Sequence, residues 1–440
     1  MKIKFLGAAA TVTGSSYLIT SNSGEQILID MGLFQGPSDV DALNFRPFEA
    51  SIKAIDGVIL THAHLDHCGR LPMLEKLGFT RDIYMTAPTA DLTELSLLDS
   101  AKISHEDHHK HILFDTDDVG ALIKRFREIP YDKEFYIGEF AVTFRDAGHI
   151  MGSASVEVQI DGKHIVFSGD LGNTPEDITR PTELINRADY VIMESTYGDR
   201  LHPKGDPAEV IRGEIEAVVE SGGTLLIPAF SLERTQELLH IIDHINPNIP
   251  VYLDSPMAQR ATVIYEKYKD LMNTEITEHY KKDNPFTFPM LHLVANRQES
   301  GDILRADGAK VIIAGSGMMT GGRILGHAQV LLPVESTRLL IVGYQGEGTL
   351  GRALLNGAEE VHIDGENVRV AAHISETQVM SSHADQSQLL AWLGHIQGVT
   401  KVFLTHGEDG PRIALAEKIQ KDLGITDVVL PMLNQEITVE

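Results

Sequence analysis

The sequence predicts an α/β protein, and three observations lead to that fold class. Short apolar, β-branched runs alternate with helical stretches along the 440-residue chain. The runs end in glycine-rich or polar turns, as strands that feed helices do. The chain is also longer than one hydrophobic core usually organises, so we expect two domains.

Composition restricts the class of protein further. The single cysteine, Cys68, excludes an intramolecular disulfide and suits a reducing compartment. The amino-terminal residues lack a long apolar segment, and no stretch approaches the roughly 18 apolar residues of a membrane span. We therefore expect a soluble, cytoplasmic protein with no membrane partner. Its 37 basic and 63 acidic residues give a net charge of −26, which argues against a polyanionic partner.

Ionisable residues follow the predicted strands. In chain order, the runs ILI, GVILT, AVTFRDAG, HIVFSG and KVFLT lead directly to Asp30, His62, His149, Asp170 and His406. In an open α/β sheet, the carboxyl ends of the strands form the crevice in which ligands bind. We therefore expect these residues to converge on one site.

The stretch from His62 to His67 has the pattern HxHxDH. Positions two apart on an extended chain point to the same side, and the following turn can bring Asp66 and His67 around to join His62 and His64. A helical zinc-protease motif is excluded because no HExxH occurs. The alternative interpretation is a polar turn with surface histidines.

Four such ligands exceed what one catalytic zinc with an open position uses, so the pattern implies a second metal ion. Asp170 is the natural bridging carboxylate between the two ions. His149 then completes the ligands of one ion, and His406 those of the other.

Several motifs resemble a known superfamily. THAHLDH, LIDMGLFQG, DAGHIMGSAS and FSGDLG resemble the metallo-β-lactamase superfamily in the first 170 residues. MESTYGDR, IPAFSLERTQELL, LDSPMA, SGMMTGGR, GYQGEGTLGR, SSHADQ and THGE resemble its β-CASP branch, and the match covers nearly the whole chain. That branch includes the nuclease subunit of the pre-mRNA 3′-end cleavage machinery and its bacterial and archaeal relatives. These relatives hydrolyse nucleic acids.

The resemblance implies an αββα sandwich with an inserted α/β domain. The hydrolase domain would comprise residues 1–197 and 382–440, and the β-CASP domain residues 198–381. The chain would be a minimal member without the amino-terminal KH domains of the archaeal relatives.

The resemblance also implies the site residues. The metal ligands fall on His62, His64, Asp66, His67, His149, Asp170 and His406. Asp30 matches the aspartate that supports the site from behind the ligands. Glu194, His383 and His406 match the three β-CASP motifs, and a histidine at the third favours RNA over DNA.

These residues can then be given catalytic roles. Two zinc ions, with manganese as the alternative metal, share a water and hold it as hydroxide against a phosphodiester of single-stranded RNA. His383 is the candidate general acid, with Glu194 fixing its tautomer, and Asp66 and Asp30 complete the catalytic set. The expected products carry a 5′ phosphate and a 3′ hydroxyl.

Glycine-bearing turns after strands of the inserted domain are candidate phosphate sites, because glycine lets backbone N–H groups approach an anion. The candidate contacts are Ser316, Gly317, Arg323, Arg352 and Ser382. Tight packing of the backbone is an equally good explanation for glycine in such turns. We expect the nucleic acid to bind in a groove between the domains, and a homodimer is left open.

The net negative charge of the chain predicts weak RNA binding outside the metal site. Residues 198–381 contain 16 basic and 25 acidic side chains, so the inserted domain is not a basic module. A smaller substrate, or a partner that supplies the RNA-binding surface, would also explain the charge.

Two rival functions belong to other classes. A metallo-β-lactamase-fold hydrolase of a small ester or thioester would share the first 170 residues and fit the charge, but it would not explain Glu194 and His383. A catalytically silent scaffold would be expected to have lost metal ligands. The run SHEDHHKH, with His105, His108, His109 and His111, is interpreted as a solvated surface, and His240 and His327 as ordinary helical residues.

Overall fold

A computed structural model describes residues 1–106, 112–174 and 178–440. The chain divides into two compact units. The first unit comprises residues 1–201 and 383–440, and the second comprises residues 202–382. No helix in the described part of the chain is both long enough and apolar enough to cross a membrane.

Two sheets form the centre of the first unit, and within the described residues each has seven strands. In spatial order, the strands of the first sheet are Glu436–Thr438, Lys2–Phe5, Tyr17–Thr20, Gln26–Ile29, Gly57–Ile59, Ile83–Met85 and Phe126–Glu128. Those of the second sheet are Val428–Val429, Lys401–Leu404, Tyr190–Met193, Lys163–Phe167, Ala154–Ile160, Phe140–Asp146 and Phe135–Ile137.

Helices cover the outer faces of both sheets. The α-helices of the first unit are Ser38–Asp41, Leu65–Cys68, Met73–Lys76, Ala87–Glu106, Thr116–Leu122, Gln386–His395 and Asp409–Lys418. Short 3₁₀ turns occur at Ala42–Phe45, Ile52–Ala54 and Ile123–Arg125, and a π turn at Ile419–Leu423.

Alternating side chains hold the layers together. Ile3, Phe5 and Ile27 point into the core shared with Phe144 and Phe403 of the other sheet, and all five are fully buried. The intervening side chains of the first sheet enter a second core with the helices on its outer face, and those of the second sheet enter a third. Because these strands are buried on both faces, the sequence shows continuous apolar runs rather than alternating apolar and polar residues. The layers form the predicted αββα sandwich.

Parallel pairing brings the strand ends together. Tyr190–Met193 pairs in parallel with both Lys163–Phe167 and Lys401–Leu404. In the other sheet, Gln26–Ile29 pairs in parallel with Gly57–Ile59. The carboxyl ends of parallel neighbours emerge at the same edge, so the residues that follow these strands lie close together.

The second unit is an α/β layer of its own. Its described residues form a six-stranded parallel sheet in the order Leu291–Leu293, Val251–Asp254, Lys310–Ala314, Thr224–Pro228, Thr337–Ile341 and His373–Glu376, and a hairpin of Glu360–Ile363 with Glu366–Arg369. Its α-helices are Pro207–Ser221, Arg234–Ile245, Pro256–Lys267, Thr274–His279, Arg297–Arg305, Arg323–Leu331 and Leu350–Leu355, with a 3₁₀ turn at Lys269–Leu271.

Candidate metal centre

The HxHxDH stretch changes conformation halfway along its length. His64 is extended, with φ −67° and ψ 145°, and the helix Leu65–Cys68 begins directly after it. The extended part carries His62 and His64, and the helical turn carries Asp66 and His67. The sequence predicted this division between an extended segment and a turn from the spacing alone.

Backbone contacts hold this stretch in place. The N–H of Ser15 donates to the carbonyl of Asp66 at 2.8 Å, and the N–H of Leu33 donates to that of Leu65 at 2.7 Å. Gly32 lies so close that an added Cβ would be 1.5 Å from the Asp66 carbonyl oxygen. Only glycine leaves room for this approach.

A first group of donor atoms joins three histidines to one carboxylate. Nδ1 of His64 lies 3.2 Å from Nε2 of His62 and 3.1 Å from Nε2 of His149. Oδ2 of Asp170 lies 3.5 Å from Nε2 of His62 and 3.7 Å from Nε2 of His149. The carboxylate and the rings of His62 and His149 are buried.

A second group of donors shares the same carboxylate. Nε2 of His406 lies 3.2 Å from Oδ2 of Asp66, and Nε2 of His67 lies 3.3 Å from Oδ1 of Asp170. Oδ1 of Asp170 is also 3.7 Å from Nε2 of His406. Asp170 thus presents Oδ2 to one group and Oδ1 to the other.

The donors fit two metal ions. Oδ1 of Asp170 is buried and forms no hydrogen bond among the described residues, although carboxylate oxygens at such depth are almost always paired. Three imidazole nitrogens of the first group face one another, and zinc–nitrogen bonds of about 2.0–2.1 Å place the ligands of one tetrahedral ion roughly 3.4 Å apart. Each group therefore has the donor chemistry and spacing for one ion, and the ligand assignments remain predictions.

Asp30 supports the site from behind His67. Its Oδ2 accepts from Nδ1 of His67 at 2.7 Å and from the hydroxyl of Thr61 at 2.8 Å. Its Oδ1 accepts from the backbone N–H of Thr61 at 2.8 Å. The carboxylate holds the proton of His67 on Nδ1, which leaves Nε2 to face the donor group.

Thr196 supports His406 in the same way. Its hydroxyl lies 3.1 Å from Nδ1 of His406 and 3.3 Å from that residue's carbonyl oxygen. His406 and Asp30 both have left-handed backbones, with φ of 48° and 58°, a conformation uncommon outside glycine. Neither Thr61 nor Thr196 was predicted as a site residue, although Thr61 begins the THAHLDH motif and Thr196 lies within MESTYGDR.

Burial sets the protonation of two histidines in the first group. It lowers the pKa of His62 well below its ordinary range and that of His64 to about 4. Neutral imidazole is the form that binds a metal ion, so these rings are ready for one.

The two carboxylates are held ionised. Burial alone would raise the pKa of Asp170, but the rings of His406, His67 and His62 lower it well below the usual range. Burial alone would also raise the pKa of Asp66, but the rings of His406 and His67 lower it to about 2. Both groups therefore include an anionic oxygen donor.

His383 lies beside the two groups, paired with a carboxylate. Its Nδ1 is 3.2 Å from Oε1 of Glu194, and its ring centre is 4.5 Å from that of His149. Burial would lower the pKa of His383, but the Glu194 carboxylate raises it to about 9. Glu194 is itself fixed, since Oε1 accepts from the N–H of Leu171 at 2.7 Å. The pair can hold a proton on His383 at neutral pH.

The candidate phosphate contacts lie in the second unit, and the two arginines have acidic neighbours there. The guanidinium of Arg323 donates to Asp254 and to the carbonyl of Val294. Nε of Arg352 is 3.6 Å from Oε1 of Glu347. An incoming phosphate would therefore compete with a carboxylate at both arginines.

The remaining candidates are engaged in local contacts. The hydroxyl of Ser316 accepts from the N–H of Thr320 at 3.0 Å, and that of Ser382 accepts from Arg234 at 2.7 Å. A Cβ on Gly317 would lie 2.5 Å from the ring of Phe230, so packing explains this glycine. A phosphate role for these residues remains a prediction. His108, His109 and His111 lie outside the described residues.

Models of known families match successive parts of the chain. The model described as the metallo-beta-lactamase superfamily matches residues 10–221, and the Beta-Casp domain model matches residues 235–354. A model described as the Zn-dependent metallo-hydrolase RNA specificity domain matches residues 367–431.

Similar proteins cover almost the whole chain. Ribonuclease TTHA0252 of Thermus thermophilus is 38% identical over 422 residues, which is 95% of each chain. The transcription termination factor FttA of Methanocaldococcus jannaschii is 31% identical over 96% of this chain and 69% of its own length. An RNase J-like protein of the same organism is 30% identical over 97% of both chains.

A solved structure has a similar fold. It belongs to a protein of unknown function from Enterococcus faecalis, with a TM-score of 0.57 and 13% identity. The match covers 100% of this chain and 99% of that one. At this identity the likeness concerns the fold alone.

Proposed function

The chain belongs to the β-CASP family of the metallo-β-lactamase superfamily, and from this premise we propose that it is a zinc-dependent ribonuclease. Its substrate is single-stranded RNA, and its products carry a 5′ phosphate and a 3′ hydroxyl. The names of two similar proteins, a ribonuclease and an RNase J-like protein, support this choice of substrate.

One observation carries the proposal. Asp170 lies between two groups of metal-type donors, with a different carboxylate oxygen facing each. When bound, two divalent cations supply Lewis acidity and a water of lowered pKa, which is the chemistry that hydrolysis of a phosphodiester requires. We therefore assign His62, His64, His149 and Asp170 to one zinc ion, and Asp66, His67, Asp170 and His406 to the other.

The chain's own residues orient the donors and move the proton. Asp30 and Thr196 each fix the tautomer of a histidine through Nδ1, so that Nε2 faces the donor group. His383, held by Glu194, donates its proton to the leaving 3′ oxygen. The Glu194 carboxylate stabilises the charged ring before transfer and keeps its orientation afterwards.

The metal and the compartment are part of the proposal. The seven assigned ligand residues are histidines and aspartates, whose nitrogen and oxygen donors zinc accepts, and manganese is the alternative metal with these donors. A single, buried cysteine suits a reducing cytoplasm. A homodimer stays a prediction, which light scattering of the purified chain would test.

The decisive experiment uses protein whose zinc content has been measured. It is incubated with 5′-labelled single-stranded RNA and with DNA of the same sequence, each carrying either a 5′ phosphate or a 5′ hydroxyl. The expected result is a ladder from RNA whose fragments end in a 3′ hydroxyl, abolished by a chelator and restored by zinc or manganese.

Two outcomes would contradict the proposal. Zinc-loaded protein that leaves every polynucleotide intact but hydrolyses a small ester would favour the metabolite hydrolase. A loaded protein that holds one ion instead of two in the first unit would remove the basis for the assigned chemistry.

A further inference from the structure

A second group of histidines lies in the second unit, outside the centre described above. His240 and His244 are four positions apart on the helix Arg234–Ile245, so their side chains are neighbours on one face. His279 ends the helix Thr274–His279. The ring centre of His240 lies 4.4 Å from that of His244 and 5.6 Å from that of His279, and the rings of His244 and His279 are 5.3 Å apart.

The ring nitrogens converge as metal ligands do. One nitrogen from each of the three histidines lies within 4.8 Å of the others. Ligands of one tetrahedral zinc ion are roughly 3.4 Å apart, so small side-chain rotations bring all three onto one ion. Nδ1 of His244 is 3.1 Å from the carbonyl oxygen of His240, a contact that fixes the tautomer and leaves Nε2 for a metal.

A buried nitrogen without a partner points independently to a ligand. His240 is only 5% exposed, and its Nδ1 makes no hydrogen bond among the residues described. Burying such a group without a partner is unfavourable, so a partner is expected. Burial, with the rings of His244 and His279, lowers the pKa of His240 to about 3, so the ring is neutral.

Carboxylates surround the third histidine. Nε2 of His279 lies 2.7 Å from Oδ1 of Asp283 and 3.6 Å from Oδ2 of Asp243. Asp243 is on the same helix as His240 and His244. The two carboxylates supply negative charge beside the three imidazole rings, and either can provide a fourth ligand.

We propose that His240, His244 and His279 bind a divalent transition metal of the zinc class, with Asp243 or Asp283 as the fourth ligand. Three imidazoles and one carboxylate suit zinc, cobalt or nickel better than magnesium or calcium, which prefer oxygen donors. His244 is exposed, so an ion can reach the site from solvent.

Bound metal would join two helices that are separated along the chain by the strand Val251–Asp254 and the helix Pro256–Lys267. Because the ion binds the folded state, it raises the stability of that unit as its concentration rises above the dissociation constant. The site does not depend on the proposed ribonuclease activity, and none of its residues belongs to the assigned catalytic set.

The test compares zinc content and cobalt spectra of full-length variants. His244→Gln removes an exposed ligand, His244→Cys replaces it with a thiolate, and His362→Gln alters an exposed histidine of the same unit outside the cluster. Proteins are dialysed against buffered zinc and analysed for metal and for circular dichroism. Cobalt-loaded samples are then scanned in the near ultraviolet, where thiolate-to-cobalt charge transfer absorbs.

We expect His244→Gln to hold one zinc ion fewer per chain than wild type and His362→Gln, with an unchanged dichroism spectrum. His244→Cys should keep that ion and gain a charge-transfer band that wild type lacks. Equal zinc in wild type and His244→Gln, or no new band in His244→Cys with cobalt, would overturn the site. RNA cleavage should be the same in all four proteins, so this result is separate from that of the ribonuclease assay.

Discussion

The histidines of the metal centre differ in what their second ring nitrogen contacts. Nδ1 of His67 faces the carboxylate of Asp30, and that of His406 faces the hydroxyl of Thr196. Their Nε2 atoms face the shared carboxylate of Asp170. At the residue scale, these contacts on the far side of each ring decide which nitrogen is available to a metal.

His383→Ala should slow RNA cleavage by about 10²- to 10⁴-fold, the usual effect of losing a general acid. Zinc content should stay at the wild-type value, because His383 is outside both assigned ligand sets. Cleavage rate at saturating RNA and elemental analysis measure the two effects. His395→Ala, which changes an exposed histidine at the end of the next helix, is the matched control. Unchanged turnover in His383→Ala would reject the assigned role.

Asp30→Asn should weaken zinc binding by about 10- to 100-fold. The amide cannot accept from Nδ1 of His67 and from Thr61 as the carboxylate does, so His67 loses its fixed tautomer. Competition with a chelator of known affinity measures the change. Asp56→Asn is the control, because Asp56 also accepts from a backbone N–H but lies before the strand Gly57–Ile59 rather than after it. Equal zinc affinity in the two variants would contradict the role of Asp30.

Asp146 should make stability depend on pH. Burial raises its pKa from 3.8 to about 7, although the N–H of Gly148 donates to it. Between these values the unfolded chain releases the proton while the folded chain keeps it, so folding weakens as pH rises from about 4 to about 7. An asparagine at this position would not titrate, so its contribution to stability would not change with pH over this range.

The free energy of unfolding of Asp146→Asn, relative to wild type, should therefore increase between pH 5 and pH 7.5. The gain should be on the order of a few kcal/mol, since one pKa unit corresponds to about 1.4 kcal/mol. Urea denaturation at both pH values measures it. The same difference between variant and wild type at the two values would show that Asp146 ionises normally.

At the scale of elements, the ends of parallel strands place most of the site. Tyr190–Met193 leads directly into Glu194, and its parallel neighbour Lys401–Leu404 leads through Thr405 to His406. His383 reaches the site differently. It precedes the helix Gln386–His395 and pairs through its backbone with Gly172, two residues after Asp170. The start of that helix therefore positions the proposed acid.

Asp385→Ala should lower the free energy of unfolding by about 0.5–2 kcal/mol, the usual cost of losing an N-cap. The Asp385 side chain accepts from the N–H of Gln388 at 3.0 Å and forms a capping box with that residue. Cleavage should also slow, because His383 lies two residues before the cap.

Asp206→Ala is the matched control for this helix start. Asp206 caps the helix Pro207–Ser221 of the second unit by accepting from the N–H of Ala208 at 2.9 Å. We expect a similar loss of stability without a change in cleavage rate. Equal cleavage in both variants would show that the helix start does not position His383.

At the scale of the whole molecule, charge limits how RNA is held. The net charge is −26, and residues 198–381 contribute 16 basic and 25 acidic side chains. Both candidate arginines, Arg323 and Arg352, already have carboxylate neighbours. We therefore expect counterion release from phosphates to supply little of the binding free energy and the proposed metal centre to supply more.

RNA binding should depend weakly on salt. A plot of log affinity against log salt concentration should have a slope of roughly −2 or shallower, because each phosphate contact to a single strand contributes about −0.7. Fluorescence anisotropy of a labelled single-stranded RNA with the metal-loaded His383→Ala variant measures the slope. A slope of about −5 would contradict this prediction and would show a local basic surface that the net charge does not indicate.

Much of the fold and of the candidate site could be predicted from local patterns. The α/β class followed from the apolar runs, and the αββα sandwich followed from the family resemblance of the motifs. The convergence of Asp30, His62 and Asp170 followed from their positions after strands. The roles of Thr61 and Thr196 could not be predicted in this way. A threonine hydroxyl can form hydrogen bonds with many kinds of group. Which group it contacts depends on the residues that the fold packs against it.

The order of residues along the chain by itself determined the fold class, the family and the types of donor at the centre, because strand periodicity and motif spacing are local properties. The tertiary structure alone decided which oxygen of Asp170 faces which histidines. It also placed His240, which the sequence predicted to be an ordinary helical residue, beside His279 of another helix. Contacts between residues far apart in sequence depend on how elements pack, and no local pattern encodes that packing.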